Sequence, residues 1–282
     1  WEEFLRTAEI VASRPIGEGV TKPWRLTLQK GGVRHEAAWK DVDAKVKNRG
    51  EMVLDSWKSE IAAYRLDKLI GLNLVPPCVE REFAPPTSAR KRKGSLSYWA
   101  ESKMNYLKMQ EEQIEFPAER AVESDRMKYL VRLWDCLTAN ADRTQQNILQ
   151  TEDWRTVLID HSRAFLSDKA HRERLIYGAE GIKMMDDGAG GQRPALFRRL
   201  PRAFVDKVRT LDAAAVRAVT APYLEEAEIE AVAAEVRALA TTVMTTTVWK
   251  RRSSAIPPSF TTACLGMEPW IAVCATTTGS IP

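Results

Sequence analysis

Residues 139–150, ANADRTQQNILQ, and 157–165, VLIDHSRAF, restrict this chain more than any other part of it. Each holds a short apolar stretch beside polar groups that are costly to bury unpaired: Asp142 and Asn147 around the first, Asp160 ending the second. The polar turn TEDW lies between residues 148–150 and 157–159, so the two stretches read as short strands of a hairpin. A hairpin closed there returns Asp160 beside Asn147, which itself lies five positions after Asp142. The two strands then form a platform that presents two carboxylates and an amide into one cleft.

The rest of the chain divides around that platform. Residues 3–12 read as a short helix. From Pro15 the pattern alternates, with a strand through Leu26 and Leu28, a tight turn at Gly31-Gly32, and a second strand ending near Lys40. A helix is expected over Leu54–Ile70, because Trp57, Ile61, Tyr64 and Lys68 recur at three- and four-residue spacing. Gly71 suits its C-terminal cap, and Pro76 and Pro77 forbid continuation. CVEREF and GSLSYWAE read as strands, separated by APPTSARKRK.

In the second half a helix is expected over Val122–Thr138, with Met127, Leu130, Val131, Trp134 and Leu137 on one face. After a Gly-rich segment the pattern is helical again through Ile229, Val232, Val236 and Leu239. The expected architecture is α+β and bilobal: a strand-rich N-lobe with one helix (1–101), a hinge or linker (102–121), a helical C-lobe (122–240), and a poorly ordered tail (241–282). That tail holds four charged residues and ten threonines with no defensible period.

Composition bounds the function classes. Of 282 residues, 44% are apolar and 28% charged, as in an ordinary globular protein. A net charge of +4 is too mild to imply nucleic acid or a membrane surface. No apolar run approaches the roughly 20 residues of a membrane-spanning helix. Cys78, Cys136, Cys264 and Cys274 form no CxxC pair, and His35, His161 and His171 are scattered. The cysteines therefore read as reduced thiols of a cytoplasmic protein. The first residue is Trp1 rather than Met, which reads as a fragment of a longer chain.

Phosphoryl transfer from a nucleotide needs few protein parts, because catalysis is mostly positioning and charge stabilisation. A carboxylate must take the acceptor proton, and oxygen ligands must hold Mg²⁺. A lysine must grip phosphates, and a helical carboxylate must hold that lysine. Asp142 is the candidate base, with Asn147 at the separation of the D-x-x-x-x-N catalytic loop. Asn147 and Asp160 are the candidate metal ligands. Glu60 sits on an otherwise apolar helical face and needs a cationic partner, for which Lys40 is the best placed. Gly17 and Gly19 read either as an ordinary turn or as a loop covering phosphates, with Thr21 as a hydroxyl contact. Trp99 and Glu101 either border the adenine or pack structurally. His161 reads as an orienting residue rather than a ligand.

NADRTQQNIL and VLIDHSRAF resemble the Asp-Arg…Asn and Ile-Asp…Phe segments of the phosphatidylinositol 3/4-kinase-like group, within the protein-kinase-like superfamily that also includes the HipA-type bacterial kinases. PIGEGVTKPWRLTLQKGG, AAWKDVD and EIAAYRLDKLIGLNLVPP are similar to bacterial members of that superfamily, so the resemblance spans residues 3–240. It implies a bilobal kinase fold using ATP and a divalent metal. Asp142 would be the base, Asn147 and Asp160 the metal ligands, and Lys40 with Glu60 the ion pair. Thr144 stands where the lipid kinases have His, Asp160-His161-Ser162 replaces Asp-Phe-Gly, and no Ala-Pro-Glu segment follows. These departures argue against a eukaryotic-type protein kinase. They leave two alternatives to an active enzyme: a nucleotide-binding pseudokinase, and an interaction domain using the basic residues 89–93. The acceptor is open among protein hydroxyls, inositol lipids and small molecules; no nucleic acid is expected.

Overall fold

Alternating apolar residues build the main sheet, as seen in the computed structural model, which describes residues 1–17, 23–48, 51–88, 90–140, 142–168, 172, 184–186, 191–194 and 202–245. Helix α1 (Glu2–Thr7) is followed by β1 (Glu9–Pro15), β2 (Trp24–Lys30) and β3 (Val33–Lys40). A hairpin, β4 (Asp43–Asn48) and β5 (Glu51–Ser56), precedes helix α2 (Trp57–Ile70), and β6 (Cys78–Phe83) and β7 (Arg92–Tyr98) complete the sheet. Its order is β1-β2-β3-β7-β6, antiparallel throughout. The β2–β3 turn places Gly31 and Gly32 at φ of 57° and 79°, a left-handed pair that other residues adopt only at a cost.

Two expectations need correction here. The helix expected over 3–12 ends at Thr7, and Ala8 is already extended. Ile10 and Val11 are β-branched and favour the strand, where Ile10 pairs with Leu28. Likewise α2 begins at Trp57 rather than Leu54, because residues 51–56 pair with β4 and the Ser56 hydroxyl accepts from the Lys58 N–H as the cap.

One face of the sheet is apolar. Leu26, Leu28, Ala37, Trp39, Leu96 and Tyr98 are buried there against Leu5 and Ala8 of the α1 segment. The Trp39 indole donates to the Arg81 carbonyl at 3.1 Å and lies across Gly94. A Cβ at Gly94 would fall 2.3 Å from the Lys40 carbonyl oxygen and 2.8 Å from the indole. Neither backbone nor a fully buried ring can yield, so Gly94→Ala is expected to destabilise the fold by about 1–3 kcal/mol, read by chemical denaturation.

Gly71, at φ 82°, closes α2, and the chain turns back over the helix end. Asp67 holds that turn: its Oδ2 accepts from the N–H groups of Leu74 (3.0 Å) and Val75 (3.1 Å), while Oδ1 is buried with no partner. Burial raises the Asp67 carboxyl to about 7, the two backbone bonds only partly opposing it. The unfolded chain releases this proton near pH ~4, so between about pH 4 and 7 the native chain binds more protons. Stability from this group therefore falls as pH rises through that window, by up to about 4 kcal/mol. Asp67→Asn is expected to remove this dependence. Urea denaturation of parent and variant near pH ~5 and pH ~8 measures it, with the parent losing ground to the variant at the higher pH.

Beyond the sheet, β8 (Met104–Asn105) and α3 (Tyr106–Glu111) occupy the segment read as hinge or linker. Helix α4 (Ala121–Leu137) follows within a residue of expectation, then the strands β9 (Ile148–Gln150) and β10 (Thr156–Leu158), with β8 pairing on β9. A two-stranded piece, β11 (Met184–Asp186) and β12 (Gln192–Pro194), lies within the Gly-rich segment. The remaining helices are α5 (Arg202–Thr210), α6 (Ala213–Thr220) and α7 (Glu226–Thr245). Helix α7 continues past 241, so the expected boundary of the tail is too early; residues 246–282 lie outside the described residues. A second core joins Ala62, Leu66 and Ile70 of α2 to Leu133, Trp134 and Leu137 of α4 and to Val232 and Val236 of α7. It seats α2 between the sheet and the helices.

Cys78 and Cys136 are buried and not disulfide-bonded, and Cys264 and Cys274 lie outside the described residues. Among the described residues no helix is long and apolar enough to cross a membrane. The basic run at 89–93 is partly neutralised: Arg92 pairs with Asp41 at 2.5 Å and Lys93 with Glu80 at 2.8 Å.

Candidate active site

Strand alternation decides where Lys40 points. Ala37 and Trp39 face the α1 core, so Ala38 and Lys40 face the opposite side, where α2 lies. Glu60, in the first turn of α2, is 5% exposed between buried Ser59 and Ile61. The Lys40 ammonium meets Glu60 Oε1 at 2.6 Å and Asp160 Oδ1 at 2.7 Å. Burial would depress the Lys40 pKa, but the two flanking carboxylates outweigh it and hold the ammonium above its ordinary value. Burial would raise Asp160, yet the attraction of Lys40 wins and lowers it. A buried ion pair is weak evidence of stability, because desolvation offsets its attraction. Lys40 ends β3, the central strand of the sheet, so the two carboxylates meet it at the strand's end.

Asp160 has a φ of 59°, a left-handed conformation that costs a non-glycine residue about 1–2 kcal/mol. Its neighbours hold it there. The second oxygen of Glu60 accepts from the His161 N–H at 3.0 Å, Ser162 Oγ donates to Asp160 Oδ1 at 3.1 Å, and the Ser56 N–H donates to the Ser162 carbonyl at 2.8 Å. Glu60 thus grips Lys40 with one oxygen and the turn after Asp160 with the other.

The expected β9–β10 hairpin forms, its second strand starting one residue earlier than expected, with Ile148 opposite Leu158, and the Ile159 N–H donates to the Asn147 carbonyl at 3.1 Å. That brings Asn147 to the base of the Asp160 turn. Its side-chain amide has no hydrogen bond among the described residues. Asp142 lies on the preceding loop, where its N–H donates to Asn140 Oδ1 at 3.1 Å and its exposed carboxylate accepts from Arg163 at 3.2 Å. Arg163 also lies 3.6 Å from Asp55.

The residue that ties these loops together stands in the Asp-Arg motif but is assigned no role there. Arg143, half-buried with its side chain 8% exposed, pairs with Asp135 on α4 at 3.0 Å and donates to the carbonyls of Asn147 (3.3 Å) and Ile159 (2.6 Å). It also meets His161 Nε2 at 2.9 Å, where the Trp134 indole donates at 3.0 Å. With two donors on Nε2, the neutral His161 ring carries its proton on Nδ1, which has no hydrogen-bond partner and lies 4.0 Å from Glu60. Complete burial, with Arg143 and Lys40 adding repulsion, keeps the ring pKa well below its usual value. His161 is therefore a neutral packing and orienting group, as its position suggests. Only the Asp-Arg pairing in the sequence hinted at Arg143; nothing hinted at Asp135.

The remaining expected residues are farther apart. Trp99 and Glu101 line a cavity of about 540 Å³ with Arg25, Thr27 and Glu36. It lies toward the start of β3, whereas Lys40 is at its end. Gly17 is exposed with open space around it; Gly19 and Thr21 lie outside the described residues.

A divalent cation fits the donor set. Among the described residues no cluster of three His, Cys, Asp or Glu side chains forms an all-protein cage. Magnesium does not need one, since it commonly takes one or two protein oxygens and keeps water or phosphate for the rest. Both bonds to Asp160 fall on Oδ1, leaving Oδ2 without a hydrogen bond among the described residues, and the Ile159 N–H ties the backbone just before it to the Asn147 carbonyl.

No protein-family model matches the sequence, and no curated protein matches it. Solved structures do: a golgi casein kinase aligns over 86% of this chain and 72% of its own, with a TM-score of 0.51 and 14% identity. The fold is kinase-like. At that identity the likeness shows the fold alone. In this chain the end of β3, the first turn of α2 and the turn after β10 meet at Lys40, Glu60 and Asp160.

Proposed function

We propose that this chain is a phosphotransferase of bilobal architecture that uses ATP and Mg²⁺ and transfers a phosphoryl group to a hydroxyl acceptor. One observation carries the reading: the Lys40 ammonium bridges Glu60 and Asp160, with Asn147 held at the base of the same turn. Lys40 places positive charge where phosphate oxygens would lie, and Glu60 fixes its position from a helix. Asn147 and Asp160 would hold the metal, which when bound neutralises charge on the phosphates. Asp142 takes the acceptor's hydroxyl proton as that oxygen forms its bond to the γ-phosphorus. The bond from phosphorus to the departing ADP oxygen breaks in the same displacement. Kinship to the phosphatidylinositol 3/4-kinase-like group and to bacterial members rests on the motif residues alone.

The test is transfer of label from γ-labelled ATP to the chain itself or to components of a protein and metabolite extract. Label in any acceptor, dependent on magnesium, supports the reading; nucleotide binding without transfer to any acceptor removes it. One contact favours a second reading as a nucleotide-binding pseudokinase: Arg163 occupies the Asp142 carboxylate, the group an active enzyme needs free to accept a proton.

A further inference from the structure

The cavity beside Trp99 shares a sheet face with Lys40. On that face Arg25 of β2 stands directly opposite Ala38 of β3, and Thr27 opposite Glu36, while Lys40 lies two residues beyond Ala38. Two residues of strand span about 7 Å, so Arg25 lies within one nucleotide's length of the ammonium. The Arg25 guanidinium carbon is 3.9 Å from the centre of the Trp99 ring. Glu36 holds the same guanidinium by an ion pair, and Arg14 approaches Glu36 from the other side at 3.6 Å. Trp99 is fixed in turn, its N–H donating to the Glu36 carbonyl at 3.1 Å and its carbonyl accepting from His35 Nε2 at 3.1 Å. Arg25 is thus a flat plate with one face on an indole and its edge pinned by a carboxylate.

We propose that Arg25 is the stacking surface for the purine base of a nucleotide whose phosphates lie at Lys40. The inference rests on the phosphotransferase reading and extends it from the phosphate end to the base end. The alternative of an anion site is disfavoured by Glu36 and Glu101 in the same cavity, which offset its arginines. A planar heteroaromatic suits a guanidinium plane already oriented by stacking, because little further ordering is needed on binding.

Titration calorimetry on the full chain with magnesium, using ATP, adenosine and inorganic tripolyphosphate as probes, tests the assignment. Arg25→Ala is expected to weaken ATP and adenosine by about tenfold and leave tripolyphosphate within about twofold. Arg25→Lys keeps the charge but not the plane, and is expected to weaken ATP and adenosine nearly as much. It carries the test if Arg25→Ala fails to fold, as judged by circular dichroism melting. Parent-like ATP affinity in these variants overturns the assignment, and so does an equal loss for tripolyphosphate, which would make Arg25 a phosphate contact. A parent chain that binds neither ATP nor tripolyphosphate removes the phosphotransferase reading and this inference with it; ATP binding untouched by Arg25 removes this inference alone.

Discussion

Asp142→Ala is expected to cut phosphoryl transfer by about 10²–10⁴-fold while leaving the melting temperature and ATP affinity near those of the parent. The separation follows from where Asp142 sits. Its carboxylate is 53% exposed, and its hydrogen-bonded ion pair with Arg163 is a solvent-facing contact, a class contributing at most about 1 kcal/mol. The backbone bond to Asn140 survives the substitution, so the loop keeps its shape. Lys40→Met should behave differently: it leaves Glu60 buried without its cation, so lost transfer comes with lost stability. Radiolabel transfer measured beside thermal melting distinguishes the two variants. Undiminished transfer by Asp142→Ala would remove Asp142 as the base while sparing the remainder of the site.

Arg143→Met should produce the largest loss of stability, about 3–5 kcal/mol, although Arg143 is assigned no step in the reaction. The substitution strands Asp135, whose side chain is 12% exposed, and removes the donors to the Asn147 and Ile159 carbonyls. Burial already raises the Asp135 carboxyl to about 6, even with Arg143 and Asn140 opposing it. Without the guanidinium that value rises further, and a carboxyl whose folded pKa is raised loses stability as pH climbs through it. The penalty for Arg143→Met is therefore expected to be smaller near pH ~5 than near pH ~8, because a protonated Asp135 needs no cation. The double variant Asp135→Asn with Arg143→Met should recover part of the loss, since the two residues act as a unit. Denaturation midpoints for the four chains at both pH values measure this coupling, and strictly additive losses would contradict it.

Strands and helices with a clear period were legible. Leu26 and Leu28, Gly31-Gly32 and the stretch ending at Lys40 predicted β2, their turn and β3, and the apolar spacing from Met127 to Leu137 predicted α4. The errors fall where the local signal is short or mixed. Residues 9–15 continue a six-residue helix without a breaker, and only pairing with β2 makes them a strand. The β4–β5 hairpin was missed for the same reason, since DAKVKN alternates over only two apolar residues, Ala44 and Val46, and EMVLDS does not alternate; its presence moved the start of α2 to the Ser56 cap.

The sequence by itself determined which groups had to meet. A glutamate on an apolar helical face requires a cation, a hairpin of fixed length returns Asp160 to Asn147, and strand alternation turns Lys40 away from Trp39. Each of these follows from periodicity or from the cost of an unpaired charge, both properties of short segments. Only the tertiary structure decided how the site is held together. Arg143 reaches Asp135 across the turn that ends α4, and His161 fits between Arg143, Trp134 and Glu60. Arg25 stacks on Trp99, 74 positions later in the chain. No spacing rule links such partners, because their distances are set by how the sheet and helices pack.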